Sequence, residues 1–449
     1  MEKVWKSAPA LALTTILVVT LLWCVQANAA SKVPETVKIK IGGVLTLSGP
    51  GAGWHLPGAK AEILYFKDIN KKGGIPYTEP DGTKHRFMID HKYEDCVYNP
   101  KKAIISYGRL RDWGAQLITT DGSSPAAGIN AQCARDHLPV LNKWSVLADP
   151  VNYAENLDKQ YLLSDAPTDV TATMMIFTAL KRGVWDKKHP GKPFKVGVIA
   201  FDNPPRRLYK AKGVKEAYAK AGYELVGVSL VPIALTDASV QLMRLYKAGA
   251  RAICVDHIAS GLKVVIEDAI RLGIRDELLI VSWFNGLNHL MTDPEVFDGV
   301  YNPWLLPVYY TDNVSPATKA CAEFYLKDDP KFWEGKVDNA LCVQHALMVG
   351  LSAIKNCLEK YGYNGFTGER LREAMFNLKI IDTGLHPKFA IDPIFPLFQA
   401  YLYMYQFDAK KKMYHQLGPV VAPGPNPFHP RWNPSDDPKV VLTNYYQWP

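Results

Sequence analysis

The sequence predicts an α/β protein made of two lobes, each a doubly wound parallel sheet. Short β-branched runs alternate with longer segments whose apolar residues recur at helical spacing, which argues for a parallel sheet covered on both faces. That alternation stops near residue 160 and then begins afresh. The 449 residues also exceed the roughly 100 to 200 expected of one domain.

The chain opens with Lys3 and Lys6, an apolar run over residues 11–25, and the small residues Ala27-Asn28-Ala29. This is the layout of a secretory signal peptide. Thr14, Thr15 and Thr20 interrupt the run, which is shorter than the ~20 residues of a membrane span. Trp23 is too bulky for the small residue that a lipidation site on Cys24 would need. Cleavage near Ala29 and a periplasmic mature protein are therefore expected.

Residues 37–45 read as a strand, and the loop Ser48-Gly49-Pro50-Gly51-Ala52-Gly53 leads into a helix carrying Ala59, Ile63, Phe66 and Ile69 on one face. Gly73-Gly74 stops that helix. A strand over 87–93 and a helix over 100–112 follow. Next comes Ile118-Thr119-Thr120-Asp121-Gly122-Ser123-Ser124-Pro125-Ala126-Ala127, a strand, tight loop and helix start in which Ser124 suits the N-cap and Pro125 the first helical position. Such a loop aims free N–H groups, a hydroxyl and the positive end of a helix dipole at one point, which suits a small anion. Residues 139–143 form the next strand.

The second series places strands at 194–200, 224–230, 252–255 and 278–281, with helices from about Arg206, Ala238 and Gly261. Two further helices over 316–327 and 338–359 and a strand pair near 401–407 and 413–417 complete the ordered part. Residues 419–449, rich in proline and asparagine, read as an extended surface tail.

Composition narrows the function. The formal charge is +8, but Lys and Arg are spread along the chain, so no nucleic-acid surface is implied. The Gly-rich loop fails the G-x-G-x-x-G spacing, and there is no H-E-x-x-H, C-x-x-C or G-x-S-x-G, so no enzyme class or cofactor is indicated. His85 and His91 share a strand face without a third ligand, so no metal site is expected. Six cysteines follow the leader, and Cys342 and Cys357 cannot pair because they lie about 22 Å apart on one helix.

The succession Ser48-Gly49-Pro50, Gly58-Ala59, Asp68-Ile69-Asn70-Lys71-Lys72-Gly73-Gly74-Ile75, Tyr93-Glu94-Asp95-Cys96, the Asp121-Gly122-Ser123-Ser124 loop, Leu138-Pro139-Val140 and Gly213-Val214-Lys215-Glu216 resembles the periplasmic substrate-binding proteins of branched-chain amino acid type ABC transporters. The resemblance covers residues 37 to 417. It implies a type I periplasmic-binding fold, with two lobes joined by three hinge crossings and a ligand caught between them. Residues 37–160 and 305–395 then form lobe 1, and 161–304 with 396–418 form lobe 2. It further implies a monomer without a cofactor that hands a small-molecule ligand to the membrane permease of an ABC importer.

In that family, the positions matching Gly122, Ser123, Ser124, Trp144 and Ser145 hold the ligand's carboxylate, and an aromatic near the first helix, here Trp54 beside His55, covers the ligand. Two departures matter. Ser282-Trp283-Phe284-Asn285-Gly286 stands where the family has an acid for the ligand's ammonium, and Arg206-Arg207 stands where an aromatic-glycine pair is common. Arg206 can offer a planar fork to a carboxylate, His257 lies at the cleft edge, and Trp54, Trp144, Phe284 and Asn285 are expected to line the cleft. The expected ligand is a small organic acid, an aromatic carboxylate above all. An amino acid, or an amide- or acid-sensing role on the same fold, is the alternative.

Overall fold

Along β1 (Thr36–Leu45) buried Val37 and Ile39 alternate with exposed Lys38 and half-buried Lys40, and from Ile41 onward every residue is buried. The change of pattern follows from position. β1 lies between β3 (Lys84–Asp95) and β4 (Leu117–Thr120), parallel to both, so its carboxyl half is covered on both faces. A computed structural model of the chain describes residues 34–49, 51–146, 159–166, 169–211, 213–283, 285–304, 306–378, 383–385 and 403–417. The leader, the tail and the three segments expected to carry the hinge crossings lie wholly or partly outside these residues.

The first sheet has the order β2-β3-β1-β4-β5-β6, where β2 is Ile75–Thr78, β5 is Val140–Val146 and β6 is Leu162–Ala166. All neighbours are parallel except β2, an antiparallel edge strand that periodicity did not reveal. β6 was also unforeseen. It pairs with β5 through Leu162 and Leu163 opposite Val140 and Leu141, so the first sheet reaches Ala166, beyond the boundary expected at 160.

The second sheet has the order β13-β12-β11-β10-β9-β7-β8. Here β7 is Lys195–Phe201, β8 Glu224–Val231, β9 Ala252–Asp256, β10 Leu279–Ser282, β11 Tyr301–Trp304, β12 Tyr403–Asp408 and β13 Met413–Gln416. β12 and β13 join antiparallel at one end. The chain therefore passes between the sheets three times, after Ala166, after Trp304 and before Tyr403.

The helices α1 (Ala52–Lys71), α2 (Pro100–Asp112), α3 (Ser123–Arg135) and α4 (Asp169–Leu180) position the site. A 25-residue helix, Val337–Tyr361, packs on α1 and β5 and is mostly buried. It is long and apolar enough to cross a membrane, but it forms the core of the first lobe. Gly58 is the residue that lets α1 lie against it, because a Cβ there would stand 2.8 Å from Val343 Cγ2. Cys342 and Cys357 are buried on this helix.

One expected element is rearranged. Instead of starting a long helix, Arg206 lies in the single turn Pro204–Arg207, followed by the 3-10 turn Leu208–Lys210 and then, after Gly213 at φ 88°, by the helix Val214–Lys220. The turn keeps Arg206 close to the carboxyl ends of β7 and β9.

Candidate ligand-binding site

Strand order reverses beside β1 and β4 in the first sheet and beside β7 and β9 in the second. The crevices outside the carboxyl ends of these pairs are where doubly wound sheets bind ligands.

At the first crevice Gly122 stands at the N-cap of α3 with φ 121°, and no side chain caps the helix. Ser123 and Ser124 therefore occupy the first turn, which corrects the expectation that Ser124 is the cap. The first backbone bond within α3 runs from Ala126 N–H to the Gly122 carbonyl at 3.2 Å, so the N–H groups of Ser123 and Ser124 have no intrahelical acceptor. Ser123 is buried, Ser124 half-buried.

Tyr98, which sequence reasoning missed, covers this helix start. Its hydroxyl lies 3.5 Å from Ser123 Oγ, and its ring stacks on His55 with centroids 4.8 Å apart and planes at 21°. A Cβ on Gly122 would stand 2.6 Å from Tyr98, and one on Gly51 2.8 Å from it. Both positions therefore need glycine for close approach. Asp95 sets up the turn that delivers Tyr98, accepting from Leu47 N–H at 3.0 Å and Val97 N–H at 2.9 Å while Ser48 Oγ donates to it at 2.5 Å. Val97 and Tyr98 take left-handed φ values of 47° and 59°. For a β-branched residue that is a strained conformation, of the kind that concentrates at ligand clamps. Asp95 within the Tyr93-Glu94-Asp95-Cys96 run was the available signal.

His55 is buried, and its Nδ1 has no hydrogen-bond partner. Burial first, and the Lys143 charge second, push its pKa down to about 3, so the ring is neutral. Beneath it lies a sealed polar cluster. Glu62 accepts from Thr119 Oγ1 at 2.7 Å and from Lys143, and its Oε1 lies 2.9 Å from His91 Nε2. Burial works to raise the Glu62 carboxyl, but Lys143 and His91 outweigh it and hold it at about 2. Asp121 accepts from Thr46 N–H at 3.1 Å, tying β1 to β4, and burial raises its carboxyl to about 7.

At the second crevice Arg206 is 8% exposed and already committed. Its Nε donates to Asp256 Oδ1 at 2.7 Å and its Nη2 reaches the same oxygen at 2.6 Å, while its Cζ lies 4.0 Å from the Phe201 ring centroid. Tyr209 donates to Asp256 Oδ2 at 3.2 Å. Asp169, the first residue of α4, is 3.9 Å from Arg206 Nη2. The expected fork to a ligand carboxylate is therefore largely spent on Asp256, and two acids that the sequence reading did not single out, Asp256 and Asp169, lie buried beside it. The charges of both Arg206 and Asp169 act on the Tyr98 hydroxyl of the first lobe.

The remaining candidates divide. Trp54 and His289 stack across the lobes at 5.1 Å and 13°, so Trp54 clasps the opposite lobe. Both ring nitrogens of His257 face backbone carbonyls, Nε2 that of Pro232 at 3.2 Å and Nδ1 that of Ile258 at 3.3 Å. This ring is occupied within its own lobe and is not a free donor at the cleft. Asn285 is fully buried and donates to Ser282 Oγ at 2.8 Å and the His257 carbonyl at 3.4 Å, which ties it into the second sheet. Trp144 and Ser145 lie on β5, but their side chains, and all of Phe284, lie outside the described residues. No group of three metal-ligating side chains occurs among the described residues.

Known proteins share this fold. No curated protein matches the sequence, but many solved structures match the fold. A fatty acid ABC transporter substrate-binding protein from Thermomonospora curvata is 19% identical with a TM-score of 0.66, covering 88% of this chain and 94% of that one. A branched-chain amino acid ABC transporter protein from Thermus thermophilus, with bound valine, is 14% identical with a TM-score of 0.65, covering 88% and 97%. A solute-binding protein of an ABC transporter from Rhodopseudomonas palustris HaA2, in complex with p-hydroxybenzoic acid, is 16% identical with a TM-score of 0.63, covering 87% and 98%. Residues 38–412 match the periplasmic binding protein family. With two doubly wound lobes, the chain belongs to that family, in the type I fold of ABC transporter substrate-binding proteins.

Proposed function

We propose that this protein captures a small organic acid between its lobes and delivers it, in the periplasm, to the membrane permease of an ABC importer. The observation that carries the reading is the start of α3. Two N–H groups without intrahelical acceptors, the Ser123 hydroxyl and the Tyr98 hydroxyl converge at the carboxyl ends of β1 and β4, and a carboxylate satisfies all of them. His55, held neutral, adds a ring and no charge. The stacked rings of Tyr98 and His55 lie beside this point, which suits an unsaturated or aromatic acid.

Arg206 supports the reading less than its sequence position suggested, because Asp256 already neutralises it. The acid is held from the first lobe. The test is native mass spectrometry of the exported protein, followed by denaturation and identification of any released ligand, then calorimetry with that ligand on wild type and Ser123→Ala. Loss of a hydrogen bond to a charged group costs about 1.5–3 kcal/mol, or roughly 10- to 150-fold in affinity. A non-acidic ligand, or an unchanged Kd in Ser123→Ala, rejects the reading.

A further inference from the structure

Asp169 is 1% exposed, and neither of its carboxylate oxygens has a hydrogen-bond partner. A buried carboxylate ordinarily accepts hydrogen bonds, yet this one accepts none. An ordinary ion pair does not account for it either, since the nearest guanidinium nitrogen, Arg206 Nη2, is 3.9 Å away and sits 2.6 Å from Asp256. With one arginine and two aspartates, this wall of the cleft carries an acceptor in excess. Burying an unsatisfied carboxylate is costly, and groups so placed cluster at functional sites.

The position of Asp169 says what could satisfy it. It lies 3.9 Å from Arg206 at the carboxyl end of the second sheet, and its charge acts on the first lobe's Tyr98, whose hydroxyl lies 3.5 Å from Ser123 Oγ. A ligand anchored by its carboxylate at Ser123 would extend toward Asp169. We propose that the captured acid carries a second group with N–H or O–H donors, and that Asp169 accepts from it when the lobes close. This deepens the organic-acid reading and rests on it. An ammonium and a phenolic hydroxyl share the required chemistry, and protonation of Asp169, which burial favours, does not remove the need for a partner.

The experiment is calorimetry on two matched pairs, benzoate against 4-hydroxybenzoate and 4-methylpentanoate against leucine, with wild type, Asp169→Asn and Asp169→Leu. In wild type the donor-bearing member of one pair binds at least tenfold more tightly than its partner, and the pair that shows the gap identifies the donor as hydroxyl or ammonium. Asp169→Leu closes the gap to within twofold, and Asp169→Asn reduces it at least threefold. Removing the unsatisfied carboxylate leaves the ligand-free Tm equal or higher, a readout that an Arg206-holding role would move the other way. A gap that survives in both variants, or a wild type that binds acids with no gap in either pair, overturns the proposal alone. Absence of binding by any of the four overturns the acid reading and this proposal together.

Discussion

Trp54, in the first turn of α1, and His289, just beyond β10, stack at 5.1 Å and 13°, joining the two lobes face to face. A contact across the lobes stabilises the arrangement that holds it over one in which the lobes are apart. Trp54→Ala is expected to lower ligand affinity by roughly three- to tenfold, matching the about 0.5–1.5 kcal/mol of an aromatic pair. Small-angle scattering should show wild type contracting on ligand binding, and the variant doing so at higher ligand concentration. An unchanged radius of gyration at saturation would count against closure.

Burial first holds the His289 pKa at about 4, with Lys336 adding to the effect. A ring kept neutral contributes stability that is complete above its free value of ~6.5 and is lost as pH falls from there toward about 4. Asp121, Asp169 and Asp338, each raised to about 7 by burial, act in the opposite sense over the same range. The measurement is therefore a difference. Between pH 7 and 5, His289→Phe should lose less Tm than wild type, or gain more.

Glu62 and Lys143 are fully buried and paired to each other. Glu62→Gln keeps the shape but leaves the Lys143 charge unmatched, which typically costs about 3–5 kcal/mol. Urea denaturation should show that loss as a lower midpoint. Replacing both residues with Met should restore most of it. A near-neutral Glu62→Gln would mean that Lys143 is uncharged in the fold.

Gly122→Ala places a Cβ 2.6 Å from Tyr98 at a φ of 121°. Strain at such a backbone position costs of order 1–3 kcal/mol, and the helix start must shift to relieve the overlap. Thermal melting should register the destabilisation, and calorimetry should show acid binding weakened by more than tenfold. Wild-type affinity in this variant would remove the α3 start from the site.

Arg206→Ala should now be read first as a stability change. It leaves Asp256 and Asp169 facing one another without the guanidinium, and breaking a buried pair costs about 3–5 kcal/mol. Melting curves taken before any binding measurement will show the loss. If the variant melts like wild type, Arg206 is free to serve the ligand directly.

The sequence by itself determined the local elements that declare themselves through short-range chemistry. Alternation marked β1, the glycine pair after Lys72 marked the end of α1, and the Asp121-Gly122-Ser123 loop marked the anion-suited helix start. It could not show β2 or β6, because short edge strands are defined by the neighbour they bond, and it misplaced the Ser124 cap because Gly122 takes a conformation only its packing against Tyr98 explains. The tertiary structure alone decided which charges are free. Arg206 looked available in the sequence and is consumed by Asp256, 50 residues away, whereas Asp169 was unremarkable in the sequence and is left with two unmatched oxygens. Helix and strand signals are carried within a few residues, but the partners of a buried charge come from distant strands, and only the fold chooses them.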